Sequence, residues 1–586
     1  MKVDKSRICK IFRDMADLLA LKGENPFRIR AYEKAADIIE HLSGDVEELF
    51  REEKLDKIPG IGKGMLEKIE TILKTGTLPV YEKLKSEFPP SLLELLSVPD
   101  LGPKTVKLLY EKLGVKNLQD LERVVLTGKM RNLPGMGPKK EENILRGIRL
   151  YKTQTSRILL GKALPLVEEV ISELTKKASH LIEKISPAGS LRRGKETIGD
   201  IDILAVSPNP PLLMEAFTNL PFVEEILAKG ETKSSILTSR GLQIDLRVVP
   251  LESFGAAIQY FTGSKSHNIS LRERALRRGL KINEYGVFTK DNTKIAGKEE
   301  EEIYEVLDLS FIPPELREDR GEIEAAERGE LPVLICEEDI RGDLHIHTKE
   351  SDGKDDIEDI VKKAKSKGYD YIAITDHSSS LKVARGLSID ALLSQVRKIE
   401  KINMRLGKPM VFTGTEVNIN LDGSLDFPDE ILAKLDIVIA AIHTGFKQDK
   451  RTLTQRIIKA MRNPFVDILA HPSGRLLGER EPYSIDFEKI LDVAKEENVW
   501  LEINAQPDRL DLTDYWAMEA KRRGVKIVIN TDAHSKDALD YIRLGVITAR
   551  RGWLEKKDIV NTLPLREFFR LIREKKQKGG RSAGKN

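Results

Sequence analysis

The stretch Asp343–Gly353, which reads DLHIHTKESDG, places two histidines and an aspartate at the end of a short apolar run. Further apolar runs end on His377 (YIAITDH), Glu416 (PMVFTGTE), His443 (IVIAAIH), His471 (VDILAH), and Asp532 with His534 (VKIVINTDAH). Amphipathic stretches separate these runs, and such alternation is typical of an α/β fold with parallel strands. In a parallel barrel the carboxyl ends of the strands converge on one face. The sequence therefore predicts an α/β barrel over residues 339–572 whose polar strand ends meet.

The side chains expected to meet there are of the types that bind metal ions. A single histidine at a strand end is usually a core or surface residue, but six, with no other histidine in this region, indicate a shared site. Nine ligands suit a cluster of two or three ions bridged by a carboxylate such as Glu416, and the mixed donors fit Mn²⁺ or Zn²⁺. The predicted ligands are His345, His347, Asp352, His377, Glu416, His443, His471, Asp532 and His534.

A second acidic pattern lies in the middle of the chain, in AGSLRRGKETIGDIDILAV (188–206). Asp200 and Asp202 are two residues apart in a strand-like run, so both carboxylates point to one face. Asp245, in QIDLRVV, lies in a second such run and adds a third carboxylate. Hard oxygen ligands of this kind suit Mg²⁺ or Mn²⁺, ions that also bridge phosphates. Gly189-Ser190 and the forked charge of Arg193 are candidates for binding phosphate oxygens.

The first 150 residues are predicted to be helical and contain three related glycine turns. These are Ile58–Gly62 (IPGIG), Val98–Pro103 (VPDLGP) and Leu133–Pro138 (LPGMGP). A glycine turn at the start of a helix exposes backbone N–H groups to which a phosphate can bind. The segments resemble helix-hairpin-helix motifs, which bind DNA backbones without reading sequence. The residues expected to approach DNA are Gly60, Gly62, Gly102, Gly135 and Gly137, and Asp100 makes the middle copy the weakest match.

The overall composition bounds the class of protein. The chain has 586 residues, a net charge of +3 and two cysteines, Cys9 and Cys336, which fit no zinc or disulfide pattern. The length allows several domains, and the near-neutral charge argues neither for nor against nucleic acid. Without a long apolar run or a signal peptide, we expect a cytoplasmic protein that makes no membrane contact. No coiled-coil pattern indicates an oligomer, so we expect a monomer.

The changes in pattern along the chain predict seven segments. We expect a helical domain over 1–90, a helix-hairpin-helix domain over 91–160, and mixed strand-and-helix domains over 161–250 and 251–312. A linker over 313–338 is expected to precede the barrel at 339–572, and a basic disordered tail to follow over 573–586.

The middle of the chain closely resembles the family X DNA polymerases. The matching strings are GSLRRG (189–194), GDID (199–202), KGETK (229–233), IDLR (244–247), YFTGS (260–264), Asn268, Arg272 and INEYGV (282–287). The resemblance implies that the domain over 161–250 is a nucleotidyltransferase palm and the one over 251–312 a thumb-like domain. The resemblance covers residues 1 to about 310 and implies that Asp200, Asp202 and Asp245 hold two metal ions, with Asp245 beside the primer 3′ hydroxyl. It also implies nucleotide contacts by Gly189, Ser190, Arg193, Gly199, Tyr260, Phe261, Gly263, Lys265, Asn268 and Arg272. Three positions depart from the vertebrate pattern, namely Ala163, Gln243 and Lys265.

The amino-terminal region resembles the small lyase domain of the same family. Lys68 matches the lysine that forms a Schiff base with a deoxyribose phosphate, although a solvated helix lysine is an equal alternative. Arg28 and Tyr32 match positions that bind the 5′-phosphate at a gap.

The carboxy-terminal region resembles a PHP (polymerase and histidinol phosphatase) domain. DLHIHTKESDG, TDHS, GTEVNI, IHT, HPSG and TDAHS stand in the family's order over residues 339 to about 572. The resemblance implies a (β/α)7 barrel and metal-dependent 3′-5′ exonuclease activity, with abasic-site endonuclease or 3′-phosphatase activity as alternatives. Arg385 and Arg475 lie near the motifs and are candidates for binding phosphate.

Together these features predict a DNA polymerase that fills short gaps in DNA repair, including base excision repair, and trims 3′ ends. Its expected partners are gapped or nicked DNA and deoxynucleoside triphosphates. One alternative is a nucleotidyltransferase acting on a small molecule or an RNA end, with a phosphatase barrel. The other is a DNA-end scaffold without catalytic activity.

Overall fold

The computed structural model describes residues 5–40, 46–51, 55, 61–89, 91–96, 98, 101–155, 157–408 and 410–582. The chain divides into two compact units, residues 1–157 with 240–243, and residues 158–239 with 244–586. Gly60 and Asp100 lie outside the described residues.

The amino-terminal unit is helical, as its apolar spacing predicts. Gly62 and Gly102 stand in extended conformation directly before two of its helices, and proline at the first helical position starts several of them because its fixed φ suits that place. Two groups of buried apolar side chains form its core, one around Phe12 and the other around Leu109. The helices are Lys5–Lys22, Pro26–Glu40, Val46–Arg51, Lys63–Thr75, Pro79–Ser86, Ser91–Leu95, Pro103–Leu113, Leu118–Leu126 and Pro138–Thr155.

The second unit begins with a five-stranded sheet of mixed direction. Its strands, in spatial order, are Lys184–Pro187, Ile201–Val206, Gln243–Val248, Lys233–Thr238 and Val223–Lys229. The two strands that carry the predicted acidic residues are parallel neighbours. Helices Leu160–Ala178 and Pro210–Thr218 accompany this sheet.

The region expected as a thumb follows the sheet. It consists of helices Phe254–Thr262, Lys265–Arg277 and Glu300–Glu305 with a small antiparallel sheet of Lys281–Asn283, Gly286–Phe288 and Lys294–Ala296. Residues 313–338, expected as a linker, include helix Glu322–Arg328 and two fully buried charged side chains, Arg317 and Glu322. Arg317 pairs with Glu300, and Glu322 contacts His267, so this segment packs as part of the folded unit.

The carboxy-terminal sheet confirms the predicted seven-stranded barrel. All its strands are parallel and follow chain order, namely Gly342–Asp343, Tyr371–Ile374, Val411–Asn418, Ile437–Ala441, Ile468–Leu469, Trp500–Asn504 and Ile527–Asn530. A bridge between Ile346 and Ala533 connects the first strand to the last. The surrounding helices are Ile357–Ser366, Ile389–Leu406, Lys450–Met461, Phe487–Glu496, Asp514–Arg523, Ile542–Arg551 and Leu565–Ser582.

Successive side chains of each barrel strand point to opposite faces, so the apolar core has two layers, one inside the barrel and one between the barrel and its helices. In Trp500–Asn504, Trp500 packs in the apolar group that contains Phe568 of the last helix, whereas Leu501 and Ile503 pack in the group shared with the surrounding helices. Glu502 is on the same face as Trp500, which directs its carboxylate into the barrel.

The expectation of a disordered tail after Arg573 is wrong for most of that segment, because the last helix continues to Ser582. Tertiary contacts of Lys575 attach the first part of this segment to the barrel. The Nζ of Lys575 lies 3.2 Å from the buried carboxylate of Asp467 and 4.9 Å from the centre of the Trp500 ring. Separately, none of the helices in the described ranges has the length and apolar character that a membrane crossing requires.

Candidate active sites

The three carboxylates predicted in the middle of the chain lie together at the end of two paired strands. Asp202 and Asp245 are directly opposite each other in the parallel pair. Asp200 comes just before the first of these strands, near enough for its charge to raise the pKa of Asp202. Asp245 is buried and Asp200 is exposed, so the group opens to solvent on one side. Burial, with the neighbouring charges of Asp200 and Asp245, raises the pKa of Asp202 to about 6.

This acidic group has chemistry that fits a divalent cation. Two cations lie beside it. Lys233 Nζ is 3.0 Å from Asp245 Oδ2, and the charge of Arg247, like that of Lys233, acts to lower the pKa of Asp202. Negative charges held this close repel one another, and a cation that binds between them removes the repulsion. Gly189, with φ +63°, lies against the group, because a Cβ there would be 3.0 Å from Asp202 Oδ2. Carboxylates of this kind are the ligands that a hard divalent cation prefers.

The segment Gly189–Gly194, called the phosphate loop below, consists of a short helix Gly189–Arg192 and a turn, and its first residue borders the carboxylates. Arg193 Nη1 donates to the carbonyl of Thr262, and Arg193 Nε donates to Glu318 Oε1 at 3.0 Å. Ser190 follows Gly189 at the start of the loop, and Gly199 comes just before the acidic strand. Arg192, which the sequence reasoning did not single out, forms a two-pronged pair with Glu300 (2.8 and 2.6 Å). Both arginines also donate to Thr262, Arg192 to its hydroxyl and Arg193 to its carbonyl.

The predicted contacts to the sugar and base lie on two consecutive helices of the thumb-like region. Tyr260 and Phe261 contact each other edge to face. The buried amide of Asn268 donates to the Tyr260 carbonyl at 2.8 Å, and Arg272 Nε donates to the Asn268 carbonyl at 3.1 Å. A Cβ at Gly263 would be 3.3 Å from Arg193 Nη1, so Gly263 lies beside the phosphate-side arginine. Lys265 begins helix Lys265–Arg277.

Within the amino-terminal unit, two of the predicted residues lie beside the aromatic side chain of the third. Lys68 Nζ lies 5.8 Å from the centre of the Tyr32 ring, and the guanidinium of Arg28 hydrogen-bonds to Tyr32. Burial raises the pKa of the Tyr32 hydroxyl, against the opposing effect of Arg28. Lys68 Nζ also donates to the carbonyl of Gly64 at 2.7 Å.

The described turn glycines offer room for a DNA backbone. A Cβ built at each of them would meet nothing within 4 Å, for Gly62, Gly102, Gly135 and Gly137 alike. Gly135 has φ +75°, a conformation that favours glycine. The prediction for Gly60 falls outside the described residues.

In the barrel, the nine predicted ligands converge around Glu416. Its Oε1 lies 3.0 Å from His471 Nε2 and 3.3 Å from His443 Nε2. Its Oε2 lies 2.8 Å from His377 Nδ1 and 3.4 Å from His345 Nε2. A fully buried carboxylate between imidazoles has the position of a bridging ligand.

Two aspartates complete the group. Asp532 Oδ1 lies 3.1 Å from His347 Nε2 and 3.6 Å from His345 Nε2. Asp352 Oδ2 lies 3.5 Å from His377 Nε2 and 3.4 Å from His534 Nε2. Each predicted ligand is thus within 4 Å of another.

Eight of the nine predicted ligands, all except His471, fall into three overlapping groups, each compact enough to hold one ion. The groups are His347, Asp352, His377 and His534; His345, His347 and Asp532; and His377, Glu416 and His443. Among the described residues, the buried Nε2 of His345 and both ring nitrogens of His347 have no hydrogen-bond partner, although carboxylate oxygens face them. Unpaired buried nitrogens beside buried carboxylates are costly unless a cation binds between them.

The pKa values of the ligand histidines diverge. Burial lowers the pKa of His345, His377 and His534, but the facing carboxylates outweigh it and raise it above the usual range of histidine. Burial and the nearby His377 lower the pKa of His347 to about 3, which keeps this imidazole neutral, as a ligand must be. Burial favours the protonated form of Glu416, but the imidazoles of His377, His443 and His345 outweigh it and hold the pKa of this carboxyl well below its usual range. The residues present therefore fit a cluster of divalent ions.

Sequence reasoning missed Glu502, which orients the first histidine. Its Oε1 lies 2.7 Å from His345 Nδ1, and its Oε2 accepts from the backbone N–H of His471 at 2.8 Å. Such a partner fixes the tautomer of a metal-ligating imidazole. The available signal was an acid in the centre of the apolar strand WLEIN (500–504).

The candidate phosphate-binding arginines have different positions from those expected. Arg475 is buried and donates to the carbonyls of Arg509 and Leu510 and to Glu196, so its contacts are structural. Arg385 has φ +55° and lies in the loop over the site. Arg509 lies beside the cluster, with its Nε 3.8 Å from Asp532 Oδ2.

Two cavities open at the cluster. One of about 220 Å³ is lined by Asp352, His377, Glu416, His443, His471 and the loop residues Leu381, Val383 and Ala384. The other, of about 330 Å³, is lined by Lys354, Gln506, Ser535 and Tyr541. Arg509, Asp532 and His534 line both cavities, so the metal-binding groups stand beside space for a small substrate.

Family models match this chain in four places. They are a helix-hairpin-helix domain at residues 3–78, a SAM-like helix-hairpin-helix tandem at 92–150, a DNA polymerase beta thumb at 257–318 and a PHP domain at 343–506. The first two confirm the predicted hairpin character of the amino-terminal region, and the last confirms the PHP resemblance.

Curated relatives agree with these matches. The chain is 38% identical over 566 residues to the DNA polymerase/3′-5′ exonuclease PolX of Bacillus subtilis, which covers 96% of this chain and 98% of that protein. It is also 33% identical over 257 residues to a "Probable phosphatase" of Thermoanaerobacter sp., 41% of this chain and 96% of the relative. A "Probable phosphatase" of Caldicellulosiruptor saccharolyticus is 33% identical over 205 residues, 33% of this chain and 80% of the relative. The chain therefore belongs to the family X DNA polymerases that carry a PHP domain, the family of the DNA polymerase/3′-5′ exonuclease PolX.

Proposed function

We propose that this chain extends DNA 3′ ends at the Asp200–Asp202–Asp245 site and shortens them in the barrel. The observation that carries the polymerase assignment is the direct pairing of Asp202 with Asp245, which brings two carboxylates together beside a third. Mg²⁺ or Mn²⁺, when bound there, neutralises phosphate charge and favours ionisation of the attacking hydroxyl.

The side chains around this site have distinct proposed tasks. Asp245 contacts the primer 3′ hydroxyl. The oxygen of this hydroxyl attacks the α-phosphate while pyrophosphate leaves. Ser190, Arg193 and the turn glycines Gly189 and Gly199 bind the outer phosphates. Tyr260, Phe261 and Gly263 line the sugar side, Asn268 faces the base, Lys265 contacts the nucleotide and Arg272 faces the template. Catalysis in such a site is mostly positioning and charge neutralisation.

The amino-terminal unit is proposed to bind the gapped DNA. Gly62, Gly102, Gly135 and Gly137 present open backbone to phosphates, which gives affinity without sequence readout. Arg28 and Tyr32 are proposed to bind the 5′-phosphate at the gap. Lys68 is the candidate lyase nucleophile, supported by its place beside the Tyr32 ring.

The barrel is proposed to hydrolyse a phosphodiester at the 3′ end. Mn²⁺ or Zn²⁺, when bound to its nine ligands as two or three ions, supplies a Lewis acid that activates water and stabilises the leaving oxygen. Glu416 bridges the ligand groups, Glu502 orients His345, and Arg509 is placed to contact the substrate phosphate. The proposed job of the whole chain is gap filling and end trimming in DNA repair, performed in the cytoplasm by a monomer.

Separation of function tests this proposal. Asp202→Asn is expected to abolish insertion of a nucleotide into a one-nucleotide gap and to leave 3′-5′ shortening intact, whereas His345→Ala is expected to do the reverse. A gel shift should also show preference for gapped over intact duplex. Loss of both activities in each folded single variant would contradict two separate sites, and equal binding of both duplexes would favour the small-molecule or RNA-end alternative.

A phosphatase activity of the barrel is a second candidate, and the phosphatase relatives favour it. A primer that ends in a 3′-phosphate distinguishes the two reactions. Release of inorganic phosphate without shortening would assign the barrel to end cleaning, and release of nucleoside monophosphates would assign it to exonuclease chemistry.

A further inference from the structure

The barrel lies directly against the phosphate loop of the polymerase site. Gly194, with φ +64°, ends that loop, and a Cβ there would overlap Ile547 Cγ2 on the barrel helix Ile542–Arg551. The loop and this helix are therefore packed backbone to side chain, with no room for even a methyl group.

Arg551, the last residue of that helix, forms hydrogen bonds to the loop. Its Nη1 donates to the carbonyl of Arg193 at 2.7 Å and to Glu318 Oε1 at 3.0 Å. Its Nη2 donates to Asp514 Oδ2 at 2.6 Å. The side chain is only 4% exposed, so these bonds are shielded from solvent. A buried guanidinium with several partners holds them in a fixed geometry.

Glu318 connects Arg551 to the arginine proposed to bind the triphosphate. The same Oε1 atom that accepts from Arg551 accepts from Arg193 Nε at 3.0 Å. Lys195 Nζ lies 3.8 Å from the other carboxylate oxygen. Burial favours protonation of Glu318, but Arg551 and Arg193 outweigh it and lower the pKa of this carboxyl. Glu318 is thus an ionised partner shared between the barrel and the loop.

Loss of Arg551 would act on Arg193 in two ways. The Arg193 carbonyl would lose its donor, which frees the loop backbone to move. Glu318 would keep Arg193 as its closest partner and would neutralise more of the charge that the triphosphate needs. Both effects weaken nucleotide binding, and neither touches the metal-binding carboxylates.

We propose that Arg551 of the PHP barrel is a positioning residue for the polymerase reaction, which holds the phosphate loop through the Arg193 carbonyl and Glu318. The inference rests on the proposed polymerase function. It makes the barrel a structural component of nucleotide binding, whatever chemistry the barrel performs.

The test measures single-nucleotide gap filling by the full-length chain with Arg551→Ala and Arg551→Lys. Arg551→Ala is expected to raise the KM for the deoxynucleoside triphosphate about tenfold, which corresponds to about 1.4 kcal/mol. The kcat, the KM for gapped DNA and the 3′-5′ shortening rate should stay unchanged. Arg551→Lys keeps the charge without the forked donors and should recover part of the lost affinity.

Arg543→Ala is the matched control. Arg543 lies on the same helix and pairs with Glu168, but both side chains are about half exposed and neither contacts the loop. This variant should behave as the unaltered chain.

The outcomes separate the inference from the proposed function. An unchanged KM in Arg551→Ala would overturn the inference alone. A lower kcat at constant KM, with a parallel loss of shortening, would mean that Arg551 only supports folding, and would also overturn it. Failure of the unaltered chain to insert nucleotides would overturn the proposed polymerase function and the inference with it.

Discussion

The substitution Gly189→Ala tests the geometry of the polymerase site. The added methyl would be 3.0 Å from Asp202 Oδ2, which is shorter than the 3.4 Å at which ordinary van der Waals contact begins. The carboxylate must therefore shift by roughly 0.4 Å. A 1 Å misplacement in an active site can cost about a hundredfold, so this shift is expected to lower kcat about sixfold. The left-handed backbone adds strain of about 1–2 kcal/mol, which lowers stability. Gap-filling kinetics at saturating Mn²⁺ measure the first effect, and thermal unfolding measures the second.

Gly329→Ala separates the two contributions. Gly329 has φ +67° and open space around its α-carbon, so alanine brings the strain without the contact. We expect both variants to lose stability and only Gly189→Ala to lose kcat. An unchanged kcat in Gly189→Ala, or an equal loss in Gly329→Ala, would refute the assigned role of this glycine beside Asp202.

Three further outcomes are expected. The pKa of Asp202 is raised to about 6, and only the ionised carboxylate binds metal. The Mn²⁺ concentration that gives half-maximal insertion should therefore be constant above about pH 7 and rise about tenfold for each pH unit below pH 6. A constant value down to pH 5 would contradict this prediction. Glu416→Gln should abolish 3′ shortening, because the amide replaces the carboxylate shared by five histidines, while gap filling continues at its normal rate. Lys575→Ala leaves the buried Asp467 without the ammonium group that it contacts, and should lower the free energy of unfolding in urea by about 3 kcal/mol. Arg570→Ala, which removes an exposed ion pair on the same helix, should leave the urea midpoint unchanged.

Local spacing predicted the parts of the site that lie on regular strands. Asp200 and Asp202 are two residues apart, which fixes their common face, and histidines at strand ends must converge once the strands form a barrel. These conclusions need only the period of a strand and the topology of a parallel sheet.

The features that were missed depend on tertiary contacts between distant segments. Glu502 is separated from His345 by 157 residues, and Arg551 from the Arg193 carbonyl by 358 residues. No local pattern distinguishes Arg551 from the adjacent Arg550, although one contacts the phosphate loop and the other contacts Glu315. The same holds for the end of the last helix, where the basic sequence was expected to be disordered. The burial of Lys575 there depends on its contacts with the distant Asp467 and Trp500.

Anomalous scattering from crystals grown with Mn²⁺ tests the two-centre account most directly. We expect density between Asp200, Asp202 and Asp245, and separate density at two or three positions among the nine barrel ligands, with ligand distances of about 2.0–2.3 Å. Absence of manganese from either place at saturating concentration, or side chains directed away from one another there, would contradict the account.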